Sequence, residues 1–164
     1  MKRRLIVMRH AKSSWADPGQ ADHERPLNAR GRGDAPRIGA RIAELGWTPD
    51  AIWSSDAVRT RQTAELVASA FDAAPGATFD RGLYLGDLGS IRTSAAEWDE
   101  AWRCVLTLGH NPGWSEAASI LAGRELGLTT ANAVLLERDD EDATWADALL
   151  EGWRFVELLR PKEL

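Results

Sequence analysis

Two short apolar runs, Leu5-Ile6-Val7-Met8 and Cys104-Val105-Leu106-Thr107-Leu108, each lead to a histidine at the head of a polar loop. An apolar run bounded by polar, turn-prone residues is the signature of a buried strand. Catalytic groups in α/β proteins gather at the carboxyl ends of such strands, where loops open to solvent. The first run ends on Arg9-His10, which sets an imidazole beside a guanidinium: a candidate nucleophile next to an anion clamp. Taken alone, this dipeptide also ends ordinary strands, so the rest of the chain decides its meaning.

The chain reads as strands alternating with helices. Strands are predicted over 4–8, 51–53, 78–79, 104–108, 133–136 and 153–159. Helices are predicted over 27–45, 58–71, 90–102 and 115–121. In the first helix Ile38, Ile42 and Leu45 recur at three- and four-residue spacing and Gly46 is the stop. Pro36 inside that pattern predicts a separate first turn or a later start. The last two strands are expected to be antiparallel, with the polar turn Asp139-Asp140-Glu141-Asp142 between them acting as a solvated hairpin rather than a cation site. The fold class is therefore α/β: three layers, with a mostly parallel central sheet and helices on both faces.

Composition narrows the function. With 164 residues the chain is expected to form one domain, 1–164. A net charge of −5 gives no support to nucleic-acid binding. Cys104 is the only cysteine, which excludes an internal disulfide and suits a reducing compartment. The basic start Met1-Lys2-Arg3-Arg4 is followed by an apolar run shorter than the roughly 7–15 residues of a signal peptide. A cytoplasmic protein without a membrane role is the expectation.

Three strand ends carry the chemistry. Two of them present His10 and His110, and the third, Ser54-Ser55, leads into a helix whose first turn holds Arg59. In a parallel sheet these ends share one edge, so Arg9, His10, Arg59 and His110 converge from distant parts of the sequence. Two imidazoles and two guanidiniums around one point suit a phosphoryl group, because guanidinium forks match phosphate oxygens bidentately. One histidine can attack phosphorus while the cations around it stabilise the charge on its oxygens.

The pieces Arg9-His10-Ala11-Lys12-Ser13, Glu24-Arg25-Pro26-Leu27 with Gly31, Ser54-Ser55 with Arg59, Gln62 and Thr63, and Gly109-His110-Asn111-Pro112-Gly113 resemble the histidine phosphatase superfamily. Within it the chain is most similar to the short SixA-type phosphohistidine phosphatases. The match runs in order from Leu5 to about Pro161. The resemblance implies a phosphoglycerate-mutase-like fold, a covalent phosphohistidine intermediate on His10, and a phosphate pocket of Arg9, Arg59 and His110. It also implies a further phosphate contact from Arg25. Asn28 stands where the family often has Thr or Ser, and an Asn before a helix caps as well as Thr does.

The expected mechanism has two steps: neutral His10 attacks phosphorus in line, and water then hydrolyses the phosphohistidine. The clustered arginines are expected to lower the His10 pKa and keep the ring neutral; the charge of His110 stays open. Arginines supply the positive charge a metal would bring, so neither metal nor cofactor is expected. Asp22 is the candidate general acid with the best claim, ahead of Glu24 and Asp87. A weak or missing acid tilts the substrate toward phosphohistidine on a protein, since moving a phosphoryl group between imidazoles does not demand a strong acid. The alternatives are a small-molecule phosphomonoesterase of the same superfamily and a phosphate-binding module without catalysis. His23 is expected to be a surface histidine and Cys104 a buried one. Trp47, Trp53, Trp98 and Trp102 are expected in the core, with Trp15 and Trp114 divided between core and pocket mouth.

Overall fold

The computed structural model describes residues 2–139 and 143–164. Six strands form one sheet: β1 (Lys2–Arg9), β2 (Ala51–Ser55), β3 (Gly76–Asp80), β4 (Cys104–Gly109), β5 (Ala133–Asp139) and β6 (Arg154–Leu159), in the order β3-β2-β4-β1-β5-β6. The first four strands of that order pair in parallel, whereas β5 runs antiparallel to both β1 and β6. Among the described residues five α-helices flank the sheet: α1 (Ala29–Glu44), α2 (Val58–Ala68), α3 (Leu88–Ala95), α4 (Gly113–Ala122) and α5 (Trp145–Ala148). None of the described helices is long and apolar enough to cross a membrane.

The layering follows from the two-residue period of the strands. On β1, Ile6 and Met8 join Ile38 and Ile42 of α1 and Val67 of α2 in one buried cluster. Leu5 and Val7 face the other way and join Ile91 of α3, Trp114 and Leu121 of α4 and Trp145 of α5. A strand apolar on both sides needs cover on both sides, which is why the first run showed no alternation. The expected three-layer, mostly parallel arrangement is the one found.

Several boundaries differ from the sequence reading. Pro36 neither splits nor delays the first helix: α1 is continuous from Ala29 and is capped by Asn28, whose side chain accepts the Gly31 N–H at 2.9 Å. An internal proline costs about 3 kcal/mol, and burial of Ala35, Ile38 and Ile42 on the same helix offsets it. The helix predicted over 90–102 starts and stops earlier. Asp87 and Ser90 form a reciprocal capping box, and the chain after Ala95 turns to bury Trp98. The four-residue α5 was not foreseen; it lies between β5 and β6. Of the predicted acidic turn, Asp139 is the last residue of β5, and residues 140–142 lie outside the described residues.

Gly31 carries a requirement that a capping motif alone does not reveal. The start of α1 packs against the loop after β1, where Lys12 O accepts the Asn28 N–H at 3.0 Å. A Cβ at position 31 would lie 2.2 Å from that same oxygen. Gly33, two residues on, has nothing within 4 Å of its would-be Cβ. Gly31→Ala is therefore expected to destabilise the protein by about 2 kcal/mol through overpacking. Gly33→Ala is expected to stabilise by roughly 0.5–1 kcal/mol through helix propensity. Urea unfolding of the two variants side by side checks the sign change.

Candidate active site

Strand register brings the two histidines together. Arg9 lies opposite Gly109 in the parallel β1–β4 pair, so His10 and His110 leave their strands at the same level. Their ring centroids are 5.3 Å apart. The His10 N–H donates to Gly109 O at 3.1 Å, and His10 O accepts from the Ala131 N–H at 2.9 Å. The next residue is held by α2: the Ala11 N–H donates to Thr63 Oγ1 at 3.1 Å, and the Thr63 hydroxyl donates to Arg59 O at 2.7 Å. Gln62 Oε1 accepts the Leu27 N–H at 2.8 Å. The Arg59, Gln62 and Thr63 spacing thus has a structural meaning. One helix turn delivers a guanidinium to the site and pins both ends of the first loop.

Hydrogen bonding assigns the tautomer of each ring. His10 Nδ1 lies 2.7 Å from Ala11 O. A carbonyl oxygen only accepts, so Nδ1 carries the proton and Nε2 of the neutral ring keeps a free lone pair. Burial foremost lowers the His10 pKa to about 3; the Ala11 hydrogen bond opposes this, and the fields of Arg59, Arg9 and Arg25 add to it. The expected direction is found with a different leading cause, because the arginines come second to desolvation. His110 has the opposite tautomer. Its Nδ1 lies 3.2 Å from Arg59 Nη2, which only donates, so Nδ1 accepts and Nε2–H donates to Ser55 Oγ at 2.8 Å. Burial, then Arg59 and His10, lower its pKa to about 3, so this ring is neutral as well.

Two of the arginines, Arg59 and Arg25, are fixed by a single carboxylate. Arg59, 3% exposed, donates from Nη1 to Asp22 O at 2.7 Å and from Nη2 to Asp22 Oδ2 at 3.0 Å. Arg25 Nε donates to Asp22 Oδ1 at 3.1 Å and Arg25 Nη1 to Ser13 Oγ at 2.7 Å, with its guanidinium 3.6 Å over the Trp15 ring. Arg9 Nη1 donates to Leu128 O at 3.2 Å. Burial, followed by repulsion from Arg59, lowers the Arg9 pKa from its usual value. All six residues singled out in the sequence, His10, Arg9, Arg59, His110, Arg25 and Asp22, thus belong to one connected cluster.

The role foreseen for Asp22 as proton donor does not fit this geometry. Burial would raise its pKa, but hydrogen bonds from Tyr84 and Arg59, the Arg59 charge and a bond from Arg25 outweigh it and hold the carboxyl well below the usual carboxylate range. An ionised Asp22 has no proton to give; it orients two arginines. Tyr84 was missed by sequence reasoning. Its hydroxyl donates to Asp22 Oδ2 at 2.5 Å, and its ring stands edge-on to His110 with centroids 5.4 Å apart. The one signal was that the chain's only tyrosine falls in a glycine-containing segment, between Gly82 and Gly86.

Other candidates separate cleanly. His23 bonds Asp56 Oδ1 at 2.7 Å and Glu24 Oε1 at 3.2 Å, and the Asp56 bond foremost raises its pKa. Glu24 is thus taken up by His23, and Asp87 by capping α3. Trp114 is fully buried in the core, not at a pocket mouth, whereas Trp15 is 71% exposed against Arg25. Cys104 is buried, and desolvation pushes its thiol up to about 12, which makes it inert. Among the described residues no group of three or more His, Cys, Asp or Glu side chains is arranged to hold a metal ion.

Comparison with known proteins agrees with this geometry. The family model described as histidine phosphatase superfamily (branch 1) matches residues 5–105. An Arabidopsis thaliana chloroplastic protein is 34% identical over 98% of this chain and 79% of its own length. A Salmonella arizonae protein named as a probable phosphoglycerate mutase, GpmB, is 34% identical over 66% of this chain, which spans only 52% of that relative. The SixA-designated structure from Agrobacterium tumefaciens superposes with a TM-score of 0.81 at 27% identity, covering 97% of this chain and 98% of that one.

Proposed function

The chain belongs to the histidine phosphatase superfamily, and from that premise we propose that it is a metal-independent phosphatase that removes the phosphoryl group from phosphohistidine on a protein, through a covalent intermediate on His10. The observation that carries this reading is the free Nε2 lone pair of His10, fixed by the Nδ1–H bond to Ala11 O, in a cluster with Arg9, Arg59, Arg25 and His110. A neutral, oriented imidazole among cations is what nucleophilic attack on a dianionic phosphoryl group requires.

In the first step Nε2 attacks phosphorus in line, a P–N bond forms, and the bond to the leaving group breaks. Arg9, Arg59 and His110 hold the equatorial oxygens, with Arg25 as a further contact; electrostatic stabilisation of this kind is commonly the largest catalytic term. In the second step water attacks phosphorus, its proton passes to solvent, and His10 recovers its lone pair. His110 turns its donor Nε2–H toward Ser55 in the resting site, so contact with phosphate requires a changed hydrogen-bond pattern at this ring.

The leaving group argues for the substrate class. An alkoxide needs a strong acid to protonate it, and Asp22 is held ionised by Tyr84, Arg59 and Arg25. A phosphohistidine protonated on its distal ring nitrogen departs as neutral imidazole and asks for no such acid. The buried, unreactive Cys104 suits a reducing compartment such as the cytoplasm. The test compares dephosphorylation of a phosphohistidine-bearing protein with a panel of sugar and nucleotide phosphates, with EDTA present throughout. The phosphoprotein is expected to win by at least about a hundredfold in kcat/KM, an acid contribution being worth roughly 10²–10⁴. Equal rates across the panel, or loss of activity in EDTA, would overturn the reading.

A further inference from the structure

A cavity of about 290 Å³ adjoins Arg9, the residue before His10, and apart from Arg9 its lining has no part in the mechanism above. Arg9 lines it from β1, Lys12 from the first loop, Arg30 from α1 and Lys162 from the chain's end, with Thr129 and Asn132 on the remaining wall. Four cations thus surround one small space. Asp34 pairs with Arg30 at 3.4 Å, but among the described residues neither Lys12 nor Lys162 meets a carboxylate.

The polar wall is built rather than incidental. Residues 129–132 form a turn in which Ala131 has φ of +61°, a conformation that costs a non-glycine residue roughly 1–2 kcal/mol. Four hydrogen bonds hold it there: Ala131 N–H to His10 O at 2.9 Å, Asn132 N–H to Thr129 O at 3.1 Å, Arg9 N–H to Asn132 O at 3.0 Å, and the Thr129 hydroxyl to Asn132 Oδ1 at 3.1 Å. Asn132 is 1% exposed, yet its Nδ2 has no acceptor among the described residues, and neither has Arg9 Nε. Buried donors without acceptors are rare in folded proteins, and each one needs a reason.

We infer that this cavity is a second anion subsite, which takes a carboxylate or phosphate carried by the same substrate as the phosphoryl group. The inference rests on the proposed phosphatase site, since Arg9 is shared and the Ala131–His10 bond ties the cavity wall to the nucleophile. The volume sits at the small end of ligand sites and suits one anionic group, not a nucleotide. Substrates with a second negative charge close to the reacting phosphorus are therefore preferred. That charge belongs either to an acidic side chain beside the phosphohistidine or to a second phosphate on a small molecule.

The experiment uses pyrophosphate and orthophosphate as competitive inhibitors of p-nitrophenyl phosphate turnover, with calorimetric titration of pyrophosphate in parallel. Lys162→Glu and the pair Arg30→Gln with Lys162→Ala change exposed side chains and leave the histidine site intact. Each variant is expected to weaken pyrophosphate binding by roughly tenfold per cation removed. Orthophosphate inhibition and p-nitrophenyl phosphate turnover should stay within about twofold on the same scale. Unchanged pyrophosphate affinity in both variants would overturn the inference. A wild-type protein without turnover would instead count against the phosphatase reading, while the calorimetric titration still reports on the subsite. Phosphohistidine peptides with Glu or Gln as neighbour, set against a sugar bisphosphate and its monophosphate, identify the source. A penalty in the variants confined to the Glu peptide assigns the subsite to a protein substrate, and one confined to the bisphosphate assigns it to a small molecule.

Discussion

His10→Ala is expected to lower turnover by roughly four orders of magnitude, the scale on which removing a nucleophile acts, and to abolish any acid-labile phosphoryl adduct on the protein. The size follows from the uniqueness of Nε2. Among the groups of the site it alone combines a free lone pair with a pKa depressed far enough to keep that pair available at neutral pH. His110 is neutral too, but its lone pair on Nδ1 faces Arg59. It cannot substitute without breaking that contact. His10→Asn serves as the folding control, because its amide can still donate to Ala11 O while offering no nucleophile. Rapid quench with a labelled substrate reads the adduct directly: wild type should trap label, and both variants should not. Label retained by His10→Asn would move the nucleophile elsewhere.

The sequence disclosed the parts of this site that local chemistry specifies. Apolar runs ending on His10 and His110 located the strand ends, and a parallel sheet left them one edge to share. The motif around Arg59 was legible through resemblance, because Ser54-Ser55 with Arg59, Gln62 and Thr63 is similar to a stretch of the histidine phosphatase superfamily. What stayed hidden depends on partners distant in sequence. Tyr84 meets Asp22 only once the loop after β3 folds over the first loop, so neither the tyrosine's role nor the depressed carboxyl pKa was readable. The charge of His110 required both its neighbours, Arg59 and Ser55, to be placed. Trp114 follows the second histidine motif directly, but the turn into α4 rotates it into the core, where it donates to Thr107 O at 3.4 Å. Proximity in sequence to a catalytic residue was a poor guide there, because a helix start reverses the direction of successive side chains within one turn.

The neutral histidines also predict how the fold responds to acid. Both rings are nearly fully buried, and their pKa values fall to about 3 from 6.5, with burial the leading cause. Between those values the unfolded chain binds protons that the folded chain refuses. Stability from these groups is therefore fully present above about pH 6.5 and is lost as pH falls toward 3. Each group contributes a slope that rises from about 0.7 kcal/mol per pH unit at pH 6.5 to about 1.4 at lower pH, so two groups give about 3 kcal/mol between pH 6.5 and 5. Asp22 works in the same direction at lower pH, since its depressed pKa gives stability that protonation removes. His23 has a raised pKa, so its contribution is already complete below pH 6.5 and does not change the slope in this window. Urea unfolding at pH 6.5, 6.0, 5.5 and 5.0 should show the full loss in wild type and about half of it in His10→Asn. A flat wild-type profile would mean that these rings accept protons in the folded state as readily as in the unfolded chain, and the electrostatic basis for a neutral nucleophile would go with it.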